Sequence, residues 1–158
     1  MKHLMMILAL GIGIGTIGGT DAHAMSARLR HDITLENRSR DVVTVDISAS
    51  AMSGGDNTID GQRFTSGKVQ IKPGQTRLFV AETYYSATGT SSIRINQGKP
   101  QDVLSWRDYR MSGQTQPADQ YSFDTKANPK VRVLESRVET NGGQSMTITG
   151  KAHLQWVD

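Results

Sequence analysis

The sequence predicts an all-β protein, an antiparallel β-sandwich of about eight or nine short strands. Apolar and polar residues alternate with a period of two along most of the chain, as in Val43-Thr44-Val45-Asp46-Ile47. Turn residues interrupt this alternation at intervals of about ten residues, and no long window shows the 3.6-residue period of an amphipathic helix. Because single faces alternate cleanly, two packed sheets fit the pattern better than one open sheet.

The predicted strands follow one another with short connections. The first is short, at Ile33 and Leu35, and His31 belongs to a basic segment ahead of it. Pro73-Gly74 and Gly98-Lys99-Pro100 are turn sequences that separate later strands. The predicted strands cover residues 33–35, 43–49, 69–71, 78–80, 93–95, 103–106, 121–123, 131–139 and 145–157.

The clearest predicted element is a C-terminal antiparallel β-hairpin, 131–139 paired with 145–157. Leu134 interrupts the alternation of its first arm, and a β-bulge there would return Val138 to the core face. Gly150 interrupts the second arm, where we expect a bulge or bend. The apolar residues of that arm occupy even positions: Met146, Ile148, Ala152, Leu154 and Trp156.

The N-terminus predicts export. Lys2 and His3 precede the apolar run 4–10, and Ala22-His23-Ala24 fits the small-residue site at which signal peptidase cleaves. We therefore expect a signal peptide over residues 1–24, a single domain over 25–158, and a periplasmic or extracellular location. A retained membrane anchor is the alternative, although the apolar run is short and rich in glycine.

Composition excludes several classes of protein. The 158 residues contain no Cys, which rules out disulfide scaffolds, zinc–thiolate sites and cysteine nucleophiles. The net charge of +3 is too small to suggest a nucleic-acid-binding protein. No later segment is apolar enough for a transmembrane helix.

Catalytic and metal-binding patterns are also missing. After residue 24 the only histidines are His31 and His153, and no G-x-S-x-G motif occurs. A site made of the two histidines would require them to meet in space. The segment 56–61 resembles the start of a calcium loop, but Gly67 stands where the bidentate acid belongs, so we predict a hairpin turn at Asp60-Gly61. We predict a protein that is not an enzyme, with no metal and no cofactor.

Two segments carry aromatic and basic residues suited to binding, because Tyr, Trp and Arg combine large contact area with a polar group. An alternative for Trp106 is a place in the core, with Arg107 on the outside. The candidate binding residues are Tyr84, Tyr85, Trp106, Arg107, Tyr109 and Arg110.

Four short segments resemble small membrane-binding β-sandwiches, the aegerolysins and the actinoporin-like cytolysins. These families share a strand–Asn start, a central Gly-Thr segment and an aromatic-rich motif beyond it. The resemblance implies a β-sandwich that acts on membranes. The Cys-containing motif of aegerolysins and the tyrosine cluster of actinoporins are absent, so no site residue is carried over. The segments are Glu36-Asn37, Pro73-Gly74, Ala87-Thr88-Gly89-Thr90 and Trp106-Arg107-Asp108-Tyr109.

The function that these observations predict is binding. We expect an exported, non-catalytic protein of the bacterial envelope or exterior that recognises a glycan, a lipid headgroup or a protein at a cell surface. The alternatives are a membrane-active cytolysin-like protein, which would contact but not span the membrane, and a structural subunit of a surface assembly.

Overall fold

A computed structural model describes residues 26–50, 56–86, 89–111, 114–117, 120–141 and 145–158. The predicted signal peptide, residues 1–24, lies outside these ranges. All helical or extended structure within them is β-strand, so the predicted all-β class is confirmed. No described segment forms a helix of the length and apolarity needed to cross a membrane.

The described ranges contain twelve strands, more than predicted, because several two- to four-residue strands have too little sequence to show a period. They are β1 Ser26–Asn37, β2 Val43–Ser50, β3 Asp56–Ile59, β4 Gln62–Arg63, β5 Ser66–Ile71, β6 Thr76–Ser86, β7 Gly89–Asn96, β8 Leu104–Met111, β9 Gln114–Pro117, β10 Ser122–Phe123, β11 Val131–Asn141 and β12 Ser145–Trp156.

The strands form two sheets. The first sheet has the order β11-β12-β1-β6-β3-β4, and the second has the order β10-β8-β7-β2-β5 with β9 paired to β8. Each sheet supplies alternate apolar residues to one hydrophobic core, with Ile33 and Leu154 from the first sheet and Val45 and Ile95 from the second. The period of two in the sequence therefore marks the inward faces.

One pairing contradicts the predicted antiparallel arrangement. β1 and β12 run parallel, with Ile33 opposite Ala152 and Leu35 opposite Leu154. Parallel neighbours need a long crossover, and the whole second sheet lies between these two strands in the chain. Local sequence could not reveal this pairing, since turn residues report only on hairpins between consecutive strands.

The prediction that His31 precedes the first strand is wrong. β1 begins at Ser26, and His31 lies in its middle with none of its surface exposed. Leu29, His31 and Ile33 point into the core, while Arg28 and Arg30 are on the outer face. The basic residues of this segment are thus one face of a strand and not a separate arm.

The C-terminal hairpin is confirmed, with β11 antiparallel to β12. The register shifts between Val133 and Glu135, and Val138 packs against the core as predicted for a bulge at this point. The expected bulge or bend at Gly150 is wrong. Gly150 pairs in regular register with His31 on one side and Val138 on the other. A glycine is needed at position 150 because the side chains of His31 and Tyr121 approach its backbone closely.

Candidate functional site

All six predicted binding residues lie on strand ends near the point where the chain passes from one sheet to the other. β6 ends at residue 86 and β7 begins at residue 89, so at most about 11 Å separates the two ends. We call this region the β6–β7 end; it comprises residues 82–86, 89–93 and 106–111.

The backbone register places the predicted residues within this end. Tyr84 lies opposite Arg28 on β1, and Tyr85 opposite Ala27. Tyr109 and Arg110 lie on β8, opposite Thr90 and Gly89 of β7. The side chains of these four predicted residues lie outside the described part of the protein. The two tyrosines belong to the first sheet, and the Trp106 segment to the second.

Trp106 is the sixth predicted residue, and it belongs to the core. It is 3% exposed, and its ring centroid lies 4.2 Å from that of His31. Trp106 therefore has the place in the core that was the alternative to a ligand contact. Arg107 follows it on the opposite face of β8 and is exposed to solvent. A contact between Trp106 and a ligand would have to be made from inside the protein.

The side chain of His31 projects from β1 of the first sheet into the core. Its Nδ1 lies 2.7 Å from the hydroxyl oxygen of Tyr121, which is also buried. Burial lowers the pKa of His31 to about 4, because the imidazolium would lose its hydration. Burial also raises the pKa of the Tyr121 hydroxyl, so both groups are neutral near pH 7.

Gly150 makes room for this pair of side chains. A Cβ at Gly150 would stand 2.1 Å from Nδ1 of His31 and 2.2 Å from the hydroxyl oxygen of Tyr121. These separations are far shorter than van der Waals contact, so no larger residue fits in this arrangement. Gly150 is the kind of strand glycine that permits close approach of another group.

A small cavity lies beside His31 at the β6–β7 end. Its volume is about 20 Å³, enough for one water-sized group. Trp106, Leu29 and Ile93 form apolar parts of its wall. The Nε2 atom of His31 is buried and has no hydrogen-bond partner among the described residues.

A second buried polar atom faces the same space. Ser91, only 3% exposed, lines the cavity, and its Oγ also lacks a hydrogen-bond partner within the described ranges. A buried polar group without a partner costs about 1–3 kcal/mol. Both residues line one cavity, whose volume is close to that of a single water-sized group.

The rim of the cavity is polar and partly exposed. Ser50 and Ser92 share a hydrogen bond of 2.8 Å between their hydroxyl oxygens. Glu82 also lines the cavity, and its carboxylate accepts hydrogen bonds from Arg28 at 2.6 Å and from Arg30 at 3.1 Å. These bonds hold the carboxylate in place beside the opening.

This arrangement is suited to binding a polar group. Ser91 and His31 make no hydrogen bond to each other, so the serine hydroxyl is not activated by the imidazole in this geometry. Among the described residues no group of three or more His, Asp or Glu side chains could hold a metal ion. His153 is far from such a role, because it lies on the outer face and bonds Glu36 at 3.0 Å.

The sequence interpretation missed His31 and Ser91. The signal for His31 was present, since Leu29, His31, Ile33 and Leu35 occupy alternate positions of one strand face. Ser91 likewise has the parity of Ile93 in β7. The basic residues around His31 predicted a segment ahead of the strand, whereas His31 is a buried polar residue of the strand itself.

Comparisons with known proteins identify no family. No protein-family model matches the chain, and no curated protein matches it. Among solved structures, the crystal structure of IP-1A from Alcaligenes faecalis is similar to this chain with 11% sequence identity and a TM-score of 0.41. The match covers 86% of this chain and 92% of IP-1A.

Proposed function

We propose that the protein is an exported, non-catalytic binding protein in which residues 25–158 form one β-sandwich. We propose further that it recognises a hydroxyl-rich glycan at the β6–β7 end, outside the cell or in the periplasm. The observation that carries this proposal is the cavity lined by His31 and Ser91, whose Nε2 and Oγ atoms are buried without hydrogen-bond partners among the described residues.

A sugar hydroxyl has the chemistry that these two atoms need. A hydroxyl both donates and accepts hydrogen bonds, and a neutral imidazole nitrogen and a serine hydroxyl can each complement it. The cavity has room for one such group and no more. Binding would satisfy two buried groups at once, each worth about 1–3 kcal/mol when left unpaired.

The surroundings of the cavity fit the rest of a sugar ring. Apolar C–H faces of a sugar stack on aromatic side chains, and Arg donates to hydroxyl and carboxylate oxygens. Arg107 is exposed next to Trp106, and Tyr109 and Arg110 follow on the same strand. In this proposal Arg107 contacts the ligand outside the cavity, and Tyr84, Tyr85 and Tyr109 are further candidate contacts on the ends of β6 and β8.

A lipid headgroup or a protein partner would use the same end. Membrane insertion requires exposed apolar side chains near the site. Among residues whose side chains the structure describes, the large exposed apolar ones are Val42, Leu78 and Leu134, and none of them lines the cavity. For this reason we favour a glycan over the cytolysin-like alternative.

An array of neutral oligosaccharides tests the proposal. We expect the wild-type protein to bind a subset of them, and Arg107→Ala and Tyr109→Ala each to weaken that binding by about tenfold. Arg132→Ala is the control, because Arg132 is exposed on β11. Binding that is unchanged in both test variants would contradict the assignment of this end.

Vesicle co-sedimentation tests the lipid alternative. Phosphatidylcholine vesicles, with and without phosphatidylglycerol, are mixed with the protein at low and high NaCl. We expect no binding that survives high salt, because electrostatic attraction is screened whereas apolar insertion is not. Binding that persists at high salt, together with no signal on the array, would overturn the glycan proposal in favour of a membrane-active protein.

A further inference from the structure

A second concave site lies away from the β6–β7 end, between the edges of the two sheets. β4 is the edge strand of the first sheet and β5 is the edge strand of the second. A cleft of about 660 Å³ separates them, within the volume range typical of ligand sites. It has no residue in common with the His31–Ser91 cavity.

The cleft is strongly basic. Four cationic side chains line it, namely Arg63, Lys68, Lys72 and Arg77, whereas no Asp or Glu among the described residues does. The net charge of the whole chain is only +3, so positive charge is concentrated here. A cleft lined by one sign of charge raises the local concentration of oppositely charged ligands.

Three of these cations are available to a ligand. Arg63, Lys68 and Lys72 make no ion pair with any residue that the structure describes. Arg77 is fixed in place, since its Nε donates to Asp60 and its Nη1 lies 3.4 Å from the carbonyl oxygen of Gln70. Arg77 therefore links the first sheet to β5.

One wall of the cleft is formed around the β3–β4 hairpin. Asp60 and Gly61 form its turn with φ angles of 50° and 77°, which confirms the predicted hairpin turn. Phe64 follows this hairpin, and its ring packs edge-on against Phe79 with centroids 6.0 Å apart. Phe64 lines the cleft, so an aromatic surface stands beside the cations.

The spacing of the cations suits a ligand with several charges. Lys68 lies on β5, and Lys72 follows the strand four residues later, so their Cα atoms are about 13 Å apart along the strand direction. At this spacing the two lysines can each contact a different anionic group of one extended ligand. Gln62, Gln70 and Gln75 lie among the cations and offer amide groups to uncharged oxygens.

We propose that this cleft binds an acidic oligosaccharide with sulfate or carboxylate groups on successive sugars. The cations take the anionic groups, the glutamine amides take hydroxyls, and Phe64 contacts a ring face. A concave cleft of this kind admits a chain of sugars, whereas the flat surface of a bilayer reaches only its rim. The site does not depend on the proposed function of the β6–β7 end.

Calorimetric titration with a sulfated hexasaccharide tests the inference. We expect saturable binding that weakens as NaCl is raised and is absent for the unsulfated hexasaccharide of the same backbone. Lys68→Gln/Lys72→Gln should weaken binding by about tenfold, and Arg63→Gln by about threefold. Arg77 is kept, because it also holds Asp60.

Lys126→Gln/Lys130→Gln is the matched control, because it removes two exposed lysines elsewhere on the protein. Urea unfolding of all variants verifies that they remain folded. Equal weakening by test and control variants would overturn the inference, since attraction would then be non-specific. So would equal binding of the unsulfated hexasaccharide. Binding to phosphatidylglycerol vesicles that needs Lys68 and Lys72, without binding of the hexasaccharide, would replace the glycan by a lipid headgroup.

Discussion

The imidazole of His31 occupies the space into which a side chain at Gly150 would project. The two residues are direct partners in the parallel β1–β12 register, and a Cβ on Gly150 would lie 2.1 Å from Nδ1. The same space receives the hydroxyl of Tyr121, which approaches Nδ1 to 2.7 Å. Gly150 thus allows a buried polar contact to form across the interior, and the orientation of His31 toward the cavity depends on it.

Gly150→Ala should strongly destabilise the protein. The added methyl group overlaps His31 and Tyr121, and overpacking of this kind costs about 3 kcal/mol. Gly74→Ala is the control, because no atom lies within 4 Å of its Cβ position and only the positive φ of 74° opposes it, at about 1 kcal/mol. Urea unfolding measures both. Equal losses of unfolding free energy in the two variants would contradict this prediction, because they would mean that His31 and Tyr121 move aside at little cost.

The stability of the protein should fall between pH 7 and pH 5 because of His31. Its folded pKa of about 4 is below the unfolded value near 6.5, so the unfolded chain binds the proton more readily. The contribution is complete above about pH 6.5 and is lost as the pH falls toward 4, with roughly 2 kcal/mol lost by pH 5. Most Asp and Glu side chains titrate below this interval.

NMR of the imidazole separates this effect from other groups. In the His153→Gln variant, His31 is the only histidine of residues 25–158. We expect its ring to remain neutral at pH 5 in the folded protein, with a midpoint near 4. A midpoint near 6.5 would contradict the burial that the fold gives to His31.

Asn37→Ala should cost about 3 kcal/mol, because Asn37 makes four hydrogen bonds at the end of β1, three of them buried. Its Nδ2 donates to the carbonyl oxygens of Asp41 and Ile71, each at 2.8 Å. Its Oδ1 accepts from the amide and hydroxyl of Ser39 at 2.9 and 2.7 Å. Asn141→Ala, at an exposed position of β11, should change the unfolding free energy by less than about 0.5 kcal/mol. Similar effects of the two substitutions would refute this role.

Ser91→Ala should leave the unliganded protein equally stable or up to about 1 kcal/mol more stable. The substitution removes a buried hydroxyl that has no partner among the described residues, and such a group lowers stability. Thermal or urea unfolding gives the difference, with Ser122→Ala on the exposed face of β10 as the control. A loss of 2 kcal/mol or more, about the value of a buried hydrogen bond network, would mean that Ser91 has a structural role instead.

Local patterns were sufficient for the features that depend on neighbours in the chain. The β11–β12 hairpin, its bulge near Leu134 and the Asp60-Gly61 turn all follow from alternation and turn residues. The parallel pairing of β1 with β12 joins the two ends of the described chain, so its register depends on tertiary packing. The reason for a glycine at position 150 could not be predicted locally, because the residues that leave no room for a side chain there, His31 and Tyr121, are distant in the sequence.

The candidate site was predictable only in part. The sequence alone shows that His31 and Ser91 alternate with apolar residues of the same strand face. That their Nε2 and Oγ atoms lack hydrogen-bond partners among the described residues is a property of the folded interior. The basic cleft could not be seen either. Arg63, Lys68 and Arg77 come from three different strands, and each alone looks like an ordinary surface cation.

The most direct test of the central claim measures binding to the neutral oligosaccharide array by wild type, Ser91→Ala and Ser122→Ala under the same conditions. The account predicts glycan binding by wild type and Ser122→Ala, and about tenfold weaker binding by Ser91→Ala although that variant is at least as stable. Undiminished binding by Ser91→Ala, or no glycan binding by the wild-type protein, would contradict it.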